Sequence, residues 1–368
     1  GRTFLRAESW RFADAAFVAA SFAFTLIAGT VEQMGEILVD VPQWDRVSDW
    51  ERLAEVGKPV RVEETLDREA LMDQLVGVTG IIRLGSRLPE LDGSLLERAT
   101  ELKIVGVRSD RFGRGIDLNV AQQRGIHVID TDNIASSQPV AEWDLALLLL
   151  CLRNAAAVYR QMIASTETWA NAGNEQFVHG ELTGKSVGLI GCGHVGQRLI
   201  ELLQPFRTDL RVFDPYVDEA IVKKLNVRRT ASLEDLLDHA DLLVVQVPHT
   251  PVTEGLIGAA ELERLGDGKI LINCSRGKVL DQQALIDRLK TGRLIAGLDV
   301  FDPEPLEPDS ELRTMPNVFC TPHIAWYAPH AFHRYFSSMV EQFVRYGRGE
   351  SLQFELTQRM VDIRHGRV

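Results

Sequence analysis

Short apolar runs of strand type alternate with segments of helical periodicity along the first third of the chain. We predict strands at 35–41, 60–62, 80–83 and 102–107, and helices at 47–57, 69–75 and 95–99. Strands that alternate with helices form parallel sheets covered on both faces, so this pattern predicts an α/β domain.

The alternation resumes in the second half of the chain. Pro139 is predicted to begin a new element, because residues 140–152 are apolar on all sides and predict a buried helix. Residues 165–183 are polar and loop-like. The polar tail after residue 350 is expected to be poorly ordered. Further strands are predicted at 242–247, 269–273, 295–299 and 317–320, followed by a helix at 328–346.

A glycine motif lies at the start of this second half. An apolar run ends in GCGHVG at 191–196, a helical pattern follows, and Asp214 ends the next predicted strand. This layout is typical of a βαβ dinucleotide site, in which Gly191 permits the tight turn, Gly193 admits a pyrophosphate and Gly196 lets helix and strand pack. The helix N-terminus offers N–H groups to the phosphates, and Asp214 favours NAD over NADP. A purely structural glycine turn is the simpler alternative.

Composition and charge exclude several classes of partner and of binding site. The 368 residues are enough for about two domains, 45% of them are hydrophobic, and the net charge is −12. An acidic chain is a poor match for nucleic acid or an anionic membrane, so we expect neither as a partner. Four scattered cysteines without a C-x-x-C pair predict a reducing cytoplasm, and neither a disulfide framework nor a zinc site.

Residues 1–34 form a predicted N-terminal extension. Residues 15–29 are nearly all apolar or small, and Arg2, Arg6 and Arg11 precede them. A packed helix or oligomer arm, a disposable leader and a targeting signal all fit this pattern, which is too short for a confident membrane span.

Three ionisable residues follow predicted strands downstream of the glycine motif: Arg276, Glu304 in a proline-rich loop, and His323. Ligands collect at this edge of open α/β sheets. The set suits hydride transfer at a 2-keto acid. A guanidinium binds a carboxylate through two hydrogen bonds, a histidine exchanges a proton with the alkoxide, and a carboxylate beside that histidine orients it. Each residue also has a simpler interpretation on its own. Arg276 could be a surface arginine that caps a turn, Glu304 could be solvated, and His323 could be a structural histidine.

The order of four motifs resembles the D-2-hydroxyacid dehydrogenases. They are the glycine motif, NCSRGKVLD at 273–281, GLDVFDPEP at 297–305 and TPHIAW at 321–326. The resemblance implies two Rossmann-like doubly wound parallel-sheet domains with a cleft between them, NAD as the cofactor, and a homodimer formed through the nucleotide domains. We place the substrate domain at 35–137 and 327–350, the NAD-binding domain at 138–326, and a C-terminal tail at 351–368.

The resemblance also implies individual roles. Arg276 is the implied substrate-binding arginine, Glu304 the acid partner of the histidine, and His323 the proton donor and acceptor, while Asp299 would hold the nicotinamide carboxamide. The cofactor residues implied by the glycine motif and the resemblance together are Gly191, Gly193, His194, Val195, Gly196, Asp214, Val247, Pro248, Thr253, Cys274, Ser275 and Asp299.

Two segments depart from the family pattern. Many members carry a glycine-rich segment that meets the substrate carboxylate, whereas this chain reads VRSDRFGRG, so Arg108 and Ser109 become candidate substrate contacts. An Arg108 that faced the cleft would suit a second anionic group on the substrate, and a solvated charged loop is the alternative. Trp326 would form one wall of the pocket or pack in the core. Arg83 is a further candidate for contact with the substrate, although Arg87 could equally align with that position of the family.

These observations predict an NAD-dependent oxidoreductase that interconverts a 2-keto acid and a D-2-hydroxy acid. Trp326 and its neighbours also resemble the C-terminal-binding-protein co-repressors, so an NAD(H)-sensing assembly protein is one alternative. A phosphite dehydrogenase on the same fold is another, since such enzymes keep the arginine, glutamate and histidine. Formate enzymes are disfavoured, because they typically have glutamine in place of Glu304.

Overall fold

The computed structural model describes residues 33–43, 45–108, 115–167, 169, 180–329, 332–364 and 367. Ser109 and residues 1–32 of the predicted N-terminal extension lie outside the described residues. The strands are β1 Glu36–Asp40, β2 Lys58–Arg61, β3 Val78–Arg83, β4 Ile104–Val107, β5 His127–Asp130, β6 Ser186–Ile190, β7 Asp209–Phe213, β8 Arg228–Arg229, β9 Leu242–Val245, β10 Lys269–Asn273, β11 Leu294–Leu298 and β12 Val318–Cys320.

Helices cover both faces of the sheets that these strands form. They are α1 Val47–Ala54, α2 Arg68–Gln74, α3 Gly93–Arg98, α4 Leu118–Gln123, α5 Asp132–Leu152, α6 Ala155–Ala164, α7 His194–Leu203, α8 Glu219–Leu225, α9 Leu233–His239, α10 Ala259–Leu265, α11 Gln282–Lys290, α12 Phe332–Gly347 and α13 Gln358–Arg364. Across the described ranges, none of these helices is long and apolar enough to cross a bilayer.

Two parallel sheets organise the described part of the chain. The first has the strand order β2-β1-β3-β4-β5, and the second has the order β12-β11-β10-β9-β6-β7-β8. The registered pairs between named strands are parallel. The predicted fold class, α/β with two doubly wound parallel sheets, is confirmed.

Local sequence explains why these elements form. The strands β4 (IVGV), β9 (LLVV) and β11 (LIAGL) are buried at every position, and a parallel strand covered by helices on both faces needs such an unbroken apolar run. Several helices begin at an aspartate whose side chain accepts a backbone N–H of the first turn, which satisfies one of the unpaired donors at the helix start. Asp92, Asp117 and Asp281 do this for α3, α4 and α11.

Helix α5 corrects the predicted start at Pro139. The helix begins at Asp132, and Pro139 lies inside it. A proline has no N–H to offer the carbonyl four residues earlier, and the carbonyl of Ala135 instead accepts a hydrogen bond of 3.2 Å from Arg334 Nε on α12. The proline is tolerated because a side chain from another helix takes over the freed acceptor.

The chain returns to the first sheet after completing the second. Phe336, Met339 and Phe343 of α12 are fully buried in one cluster with Ile37 and Ile82 of the first sheet. Helix α12 therefore supplies part of the core of the first sheet, and the division of the chain into domains stays a prediction.

The C-terminal tail differs from the expectation of poor order. The N–H of Leu356 donates to the carbonyl of Val128 at 2.7 Å, and the N–H of Asp130 donates to the carbonyl of Phe354 at 3.0 Å. Leu356 and Val361 are buried in the core of the first sheet. The polar composition of the tail gave no sign that Leu356 and Val361 would be buried. The expectation of poor order is therefore wrong for residues 352–361.

Candidate active site

A cavity of about 490 Å³ lies among loops that follow strands of both sheets. The predicted residues that line it are Arg108, Gly193, His194, Val195, Val247, Pro248, Cys274, Ser275, Arg276, His323 and Trp326. Sequence reasoning did not select the other lining residues, which are Ser136, Val140, Gln246, Ala325, Tyr335 and Met360. Met360 comes from the tail, and Tyr335 from the face of α12.

The glycine loop has the shape that a dinucleotide requires. Gly191 has a φ of +95°, and a Cβ there would lie 2.4 Å from the carbonyl oxygen of Gln246. A Cβ on Gly193 would meet no atom within 4 Å, so the space before the N-terminus of α7 is open. Gly196 is buried in the first turn of that helix. The residues present therefore fit a pyrophosphate at the start of α7.

Asp214 directly follows β7 and lies beside this loop. Its Oδ2 accepts the N–H of Cys192 at 2.7 Å, and its Oδ1 accepts the N–H groups of Tyr216 and Val217. Three backbone donors thus fix the carboxylate next to the glycine loop. The carboxylate therefore lies where an acid is predicted to contact the adenosine ribose of the cofactor.

The histidine and the glutamate of the predicted set are in direct contact. His323 Nδ1 lies 2.8 Å from Glu304 Oε2, and Glu304 Oε1 accepts the N–H of Phe301 at 2.9 Å. The glutamate is therefore held by its own loop while it orients the imidazole. Glu304 and Arg276 also line a second cavity of about 220 Å³ beside the first. Arg276 borders both cavities.

The loop that carries Arg276 is fixed by Asn273 at the end of β10. The Asn273 amide donates to the carbonyl of Arg276 at 2.9 Å, and its oxygen accepts from the N–H and the hydroxyl of Ser275. The next residue, Gly277, allows this loop to touch the loop of Glu304: a Cβ there would lie 1.8 Å from the carbonyl oxygen of Phe301. A side chain at this position would push the arginine away from the other two residues.

Asp299 holds the loop that presents His323. This buried carboxylate accepts hydrogen bonds from the Thr321 hydroxyl at 2.5 Å, the Ile324 N–H at 3.0 Å and the Ala325 N–H at 2.9 Å. Between these anchors His323 adopts a φ of +55°, which is uncommon for a residue with a side chain. In this structure Asp299 acts on the histidine loop, and it does not line the cavity among the described residues.

Two other predicted residues lie outside the lining. Arg83 Nε donates to the carbonyl of Leu88 at 3.1 Å, so this arginine secures the loop that follows its strand. Thr253 donates its hydroxyl to the carbonyl of Pro248 at 2.6 Å and accepts the N–H of Thr250 at 2.8 Å. Neither side chain borders the main cavity in the described structure, and both stabilise loops next to it.

Aromatic side chains form one side of the cavity. The Arg108 guanidinium carbon lies 5.2 Å from the centroid of the Tyr335 ring. Trp326 meets Tyr327 edge-on at 5.5 Å and lies 6.2 Å from Phe332, so the predicted wall is part of an aromatic group.

A buried carboxyl group lies beneath the cavity. Asp144 of α5 is fully buried, and its Oδ2 accepts a hydrogen bond of 2.7 Å from the Gln246 amide. Burial raises the pKa of Asp144 to about 7, and repulsion from the Asp299 carboxylate acts in the same direction. The Cys274 thiol also faces Asp144, and the same burial raises the pKa of that thiol. Gln246 and Cys274 both border the cavity, so they connect Asp144 to its floor.

Comparison with known proteins identifies the cofactor. Residues 145–325 match the family "D-isomer specific 2-hydroxyacid dehydrogenase, NAD binding domain". The prediction of NAD is thereby confirmed, and residues 191–214 lie within the matched region. A glyoxylate reductase of Korarchaeum cryptofilum is 30% identical over 317 residues, which are 86% of this chain and 90% of that protein.

Other relatives are longer than this chain. A D-3-phosphoglycerate dehydrogenase of Archaeoglobus fulgidus is 32% identical over 294 residues, which are 79% of this chain but only 53% of that protein. The chain therefore spans about half the length of the first curated relatives that it matches.

Solved structures share the fold. A phosphoglycerate oxidoreductase from Rhizobium etli superposes with a TM-score of 0.75 at 26% identity, covering 88% of this chain and 98% of the other. The D-mandelate dehydrogenase of Rhodotorula graminis gives a TM-score of 0.76 at 24% identity, with 89% and 98% covered, which supports the fold alone.

The open space at Gly193 generates a prediction. The change Gly193→Val places methyl groups where the structure has no atom, so the chain should fold normally while the pyrophosphate loses its place. We expect NADH affinity, measured by fluorescence titration, to fall by about tenfold or more with an unchanged melting temperature. Gly258→Val serves as the control, since Gly258 is also an extended glycine at a helix N-cap, lies outside the cavity lining and would place a Cβ no closer than 3.4 Å to another atom. Unaltered NADH binding in Gly193→Val would contradict the assigned pyrophosphate position.

The buried Asp144 predicts an unusual pH dependence of stability. Its pKa of about 7 in the folded chain exceeds the ordinary value of 3.8, so between these values the folded state holds a proton that the unfolded state releases. The free energy of unfolding should therefore fall as pH rises from 4 to 7. The change Asp144→Asn, which keeps an acceptor for Gln246, should reduce this fall by roughly 2–4 kcal/mol in urea titrations. The exposed Glu263→Gln is the control, and a fall equal to the wild type's in Asp144→Asn would refute the assignment.

Proposed function

The chain belongs to the D-isomer specific 2-hydroxyacid dehydrogenase family, and we propose that it is an NAD-dependent oxidoreductase that interconverts a 2-keto acid and a D-2-hydroxy acid. The contact of 2.8 Å between His323 and Glu304, at a cavity that Arg276 also lines, is the observation that carries the proposal. An acid–base group, His323, and a carboxylate-binding group, Arg276, thus border the same cavity as the glycine loop.

Arg276 binds the substrate carboxylate. Its planar guanidinium offers two parallel N–H groups to a carboxylate and draws electron density from the neighbouring carbonyl. Asn273 and Gly277 fix the loop that carries it, so the position of the carboxylate is set before substrate arrives. The nicotinamide of NAD, when bound, supplies or accepts the hydride.

His323 exchanges the proton with the substrate oxygen. Its Nδ1 is engaged by Glu304, which leaves Nε2 as the ring atom that donates to the alkoxide oxygen in reduction and accepts the hydroxyl proton in oxidation. Glu304 is a positioning residue, because it acts through the imidazole. The apolar wall of Trp326 and Val140 limits water around the reacting centre.

The proposal is tested with purified protein, NADH and a panel of 2-keto acids, following the loss of NADH absorbance. The change Arg276→Ala should raise KM by roughly 10- to 100-fold and also lower kcat, because the lost ion pair both binds and orients the substrate. His323→Ala should mainly lower kcat, by roughly 10²- to 10⁴-fold. His239→Gln, a histidine on α9 away from the cavity, is the control.

Two outcomes would overturn parts of this proposal. Near-normal turnover in His323→Ala would remove the proton-donor assignment while leaving the dehydrogenase activity intact. Tight NADH binding without turnover of any 2-keto acid, combined with NADH-dependent oligomerisation, would instead favour the sensing function that the sequence left as an alternative.

We further propose that the protein is a homodimer in the cytoplasm. The family resemblance predicts contact through the nucleotide domain, and α6 exposes Tyr159, Met162 and Ile163 on one face beside the second sheet. Because a two-fold dimer buries the same patch on both copies, a single apolar helix face is enough to supply a symmetric contact. The four cysteines are free thiols, as a reducing compartment favours, and cell fractionation tests that location.

The dimer contact predicts the effect of a charge on α6. Ile163→Asp should convert the dimer into a monomer in light scattering, because two buried carboxylates would face each other across the two-fold axis. Val76→Asp, at a fully separate exposed valine, should leave the mass unchanged. An unchanged mass in both variants would place the contact elsewhere.

A further inference from the structure

A carboxyl group without a cationic partner lies beneath the floor of the main cavity. Asp144 is fully buried on α5 and forms no ion pair with the described residues. Its Oδ2 accepts the Gln246 amide at 2.7 Å, and its Oδ1 is buried without a hydrogen-bond partner in that part of the chain. Burial penalises the charged form of such a group, so these surroundings favour the neutral acid. A positive charge placed nearby would reverse that preference.

The titratable groups that face Asp144 come from neighbouring strands. The Cys274 thiol directly follows β10, and the Asp299 carboxylate directly follows β11. Asp299 repels a charge on Asp144, and the thiol stays neutral because burial raises its pKa as well. No described lysine, arginine or histidine acts on Asp144 from the other elements that pack on α5, which are α6, α7, α12 and β12. The protein therefore supplies no positive charge of its own to this carboxyl group.

The position of Gln246 connects this carboxyl group to the cofactor. Gln246 directly follows β9, which lies between β6 and β10 in the second sheet. The glycine loop follows β6 and Arg276 follows β10, so a dinucleotide that extends from the glycine loop toward Arg276 passes over the end of β9. Its nicotinamide end then lies above Gln246 and Cys274, which border the cavity and both face Asp144.

We propose that Asp144 compensates the charge of the cofactor: it keeps its proton while NADH is bound and releases that proton to solvent when NAD⁺ is bound. The nicotinamide ring carries a positive charge in NAD⁺ and none in NADH. A carboxylate beneath the ring attracts NAD⁺ strongly because the floor between them is a low-dielectric medium, and it gives NADH no comparable gain. Asp144 does not line the cavity, so it acts on the ring through its charge alone. NAD is the confirmed cofactor, and the inference therefore does not depend on the substrate proposed above.

This coupling makes the affinity for NAD⁺ depend on pH. Without cofactor the pKa of Asp144 is about 7. A positive ring lowers this pKa, so NAD⁺ binds more tightly as pH rises through 7, whereas this group leaves NADH affinity unchanged. The imidazoles of His194 and His323 also border the cavity, and loss of a proton from either would act in the same direction. The contribution of Asp144 is therefore the part of the pH dependence that a neutral residue at position 144 removes.

The experiment measures the dissociation constants of NAD⁺ and NADH by titration calorimetry at about pH 5.5 and about pH 8.5, on either side of the Asp144 pKa. The proteins are the wild type, Asp144→Asn and the control Asp287→Asn. Asparagine is neutral at both pH values and keeps an acceptor for Gln246. Asp287 is a matched control, because it also accepts a glutamine amide, from Gln283 at 3.1 Å, but is exposed on α11.

We expect the ratio of NAD⁺ affinity to NADH affinity to rise about tenfold more in the wild type than in Asp144→Asn between the two pH values, since one unit of pKa is a factor of ten. At the lower pH the two ratios should be nearly equal, because Asp144 is then protonated. Asp287→Asn should match the wild type. A ratio that rises equally in the wild type and Asp144→Asn, even with both cofactors bound more weakly by the variant, would show a structural role alone and overturn the proposal.

A second measurement uses the wild type and holds even if Asp144→Asn fails to fold. At about pH 6.5, just below the Asp144 pKa, the infrared C=O band of a protonated carboxylic acid should lose intensity when NAD⁺ is added but not when NADH is added. A band that neither cofactor changes would contradict the release of a proton. Both measurements are made without turnover. Failure of the proposed dehydrogenase would therefore leave them valid, and failure of the Asp144 coupling would leave the proposed dehydrogenase standing.

Discussion

The carboxylate of Asp299 is the constraint on which the candidate site depends. It is completely buried at the end of β11, and three donors from residues 321–325 satisfy it. Leaving such a group unsatisfied would cost about 1–3 kcal/mol or more, so the following loop has little freedom to fold otherwise. His323 is held between these donors in a left-handed conformation, and its imidazole meets Glu304 as a result. The Asp299 carboxylate thus fixes the position of the His323 imidazole without contacting it.

Much of the fold and the site could be predicted, because parallel sheets carry their ligands at one edge. Arg276, Glu304 and His323 each follow a strand whose apolar run is unmistakable in the sequence, and position after a strand was enough to group them. The loops that position them were less visible. Gly277 is important because of its distance to Phe301, and that neighbour is 24 residues away (301 − 277) with no local signal to identify it.

Residues from remote segments were missed for the same reason. Tyr335 and Met360 reach the cavity from helices that pack on the first sheet, and helical periodicity shows which face is apolar but not what it borders. Arg83 was selected by its position after a strand and Thr253 by the family resemblance, and in this structure their side chains donate hydrogen bonds to the carbonyls of Leu88 and Pro248. Local pattern identifies candidates, whereas long-range contacts decide which of them face a ligand.

The proline in α5 has a consequence for the way the two sheets are joined. The N-terminal part of this helix is tied to α12 by the bond from Arg334 to Ala135, and the part after Pro139 is buried against the second sheet. A bend at residue 139 breaks no helical hydrogen bond to Ala135, since none exists there. The helix that joins the two sheets is therefore completed at this turn by a side chain of α12, where other helices rely on their own backbone.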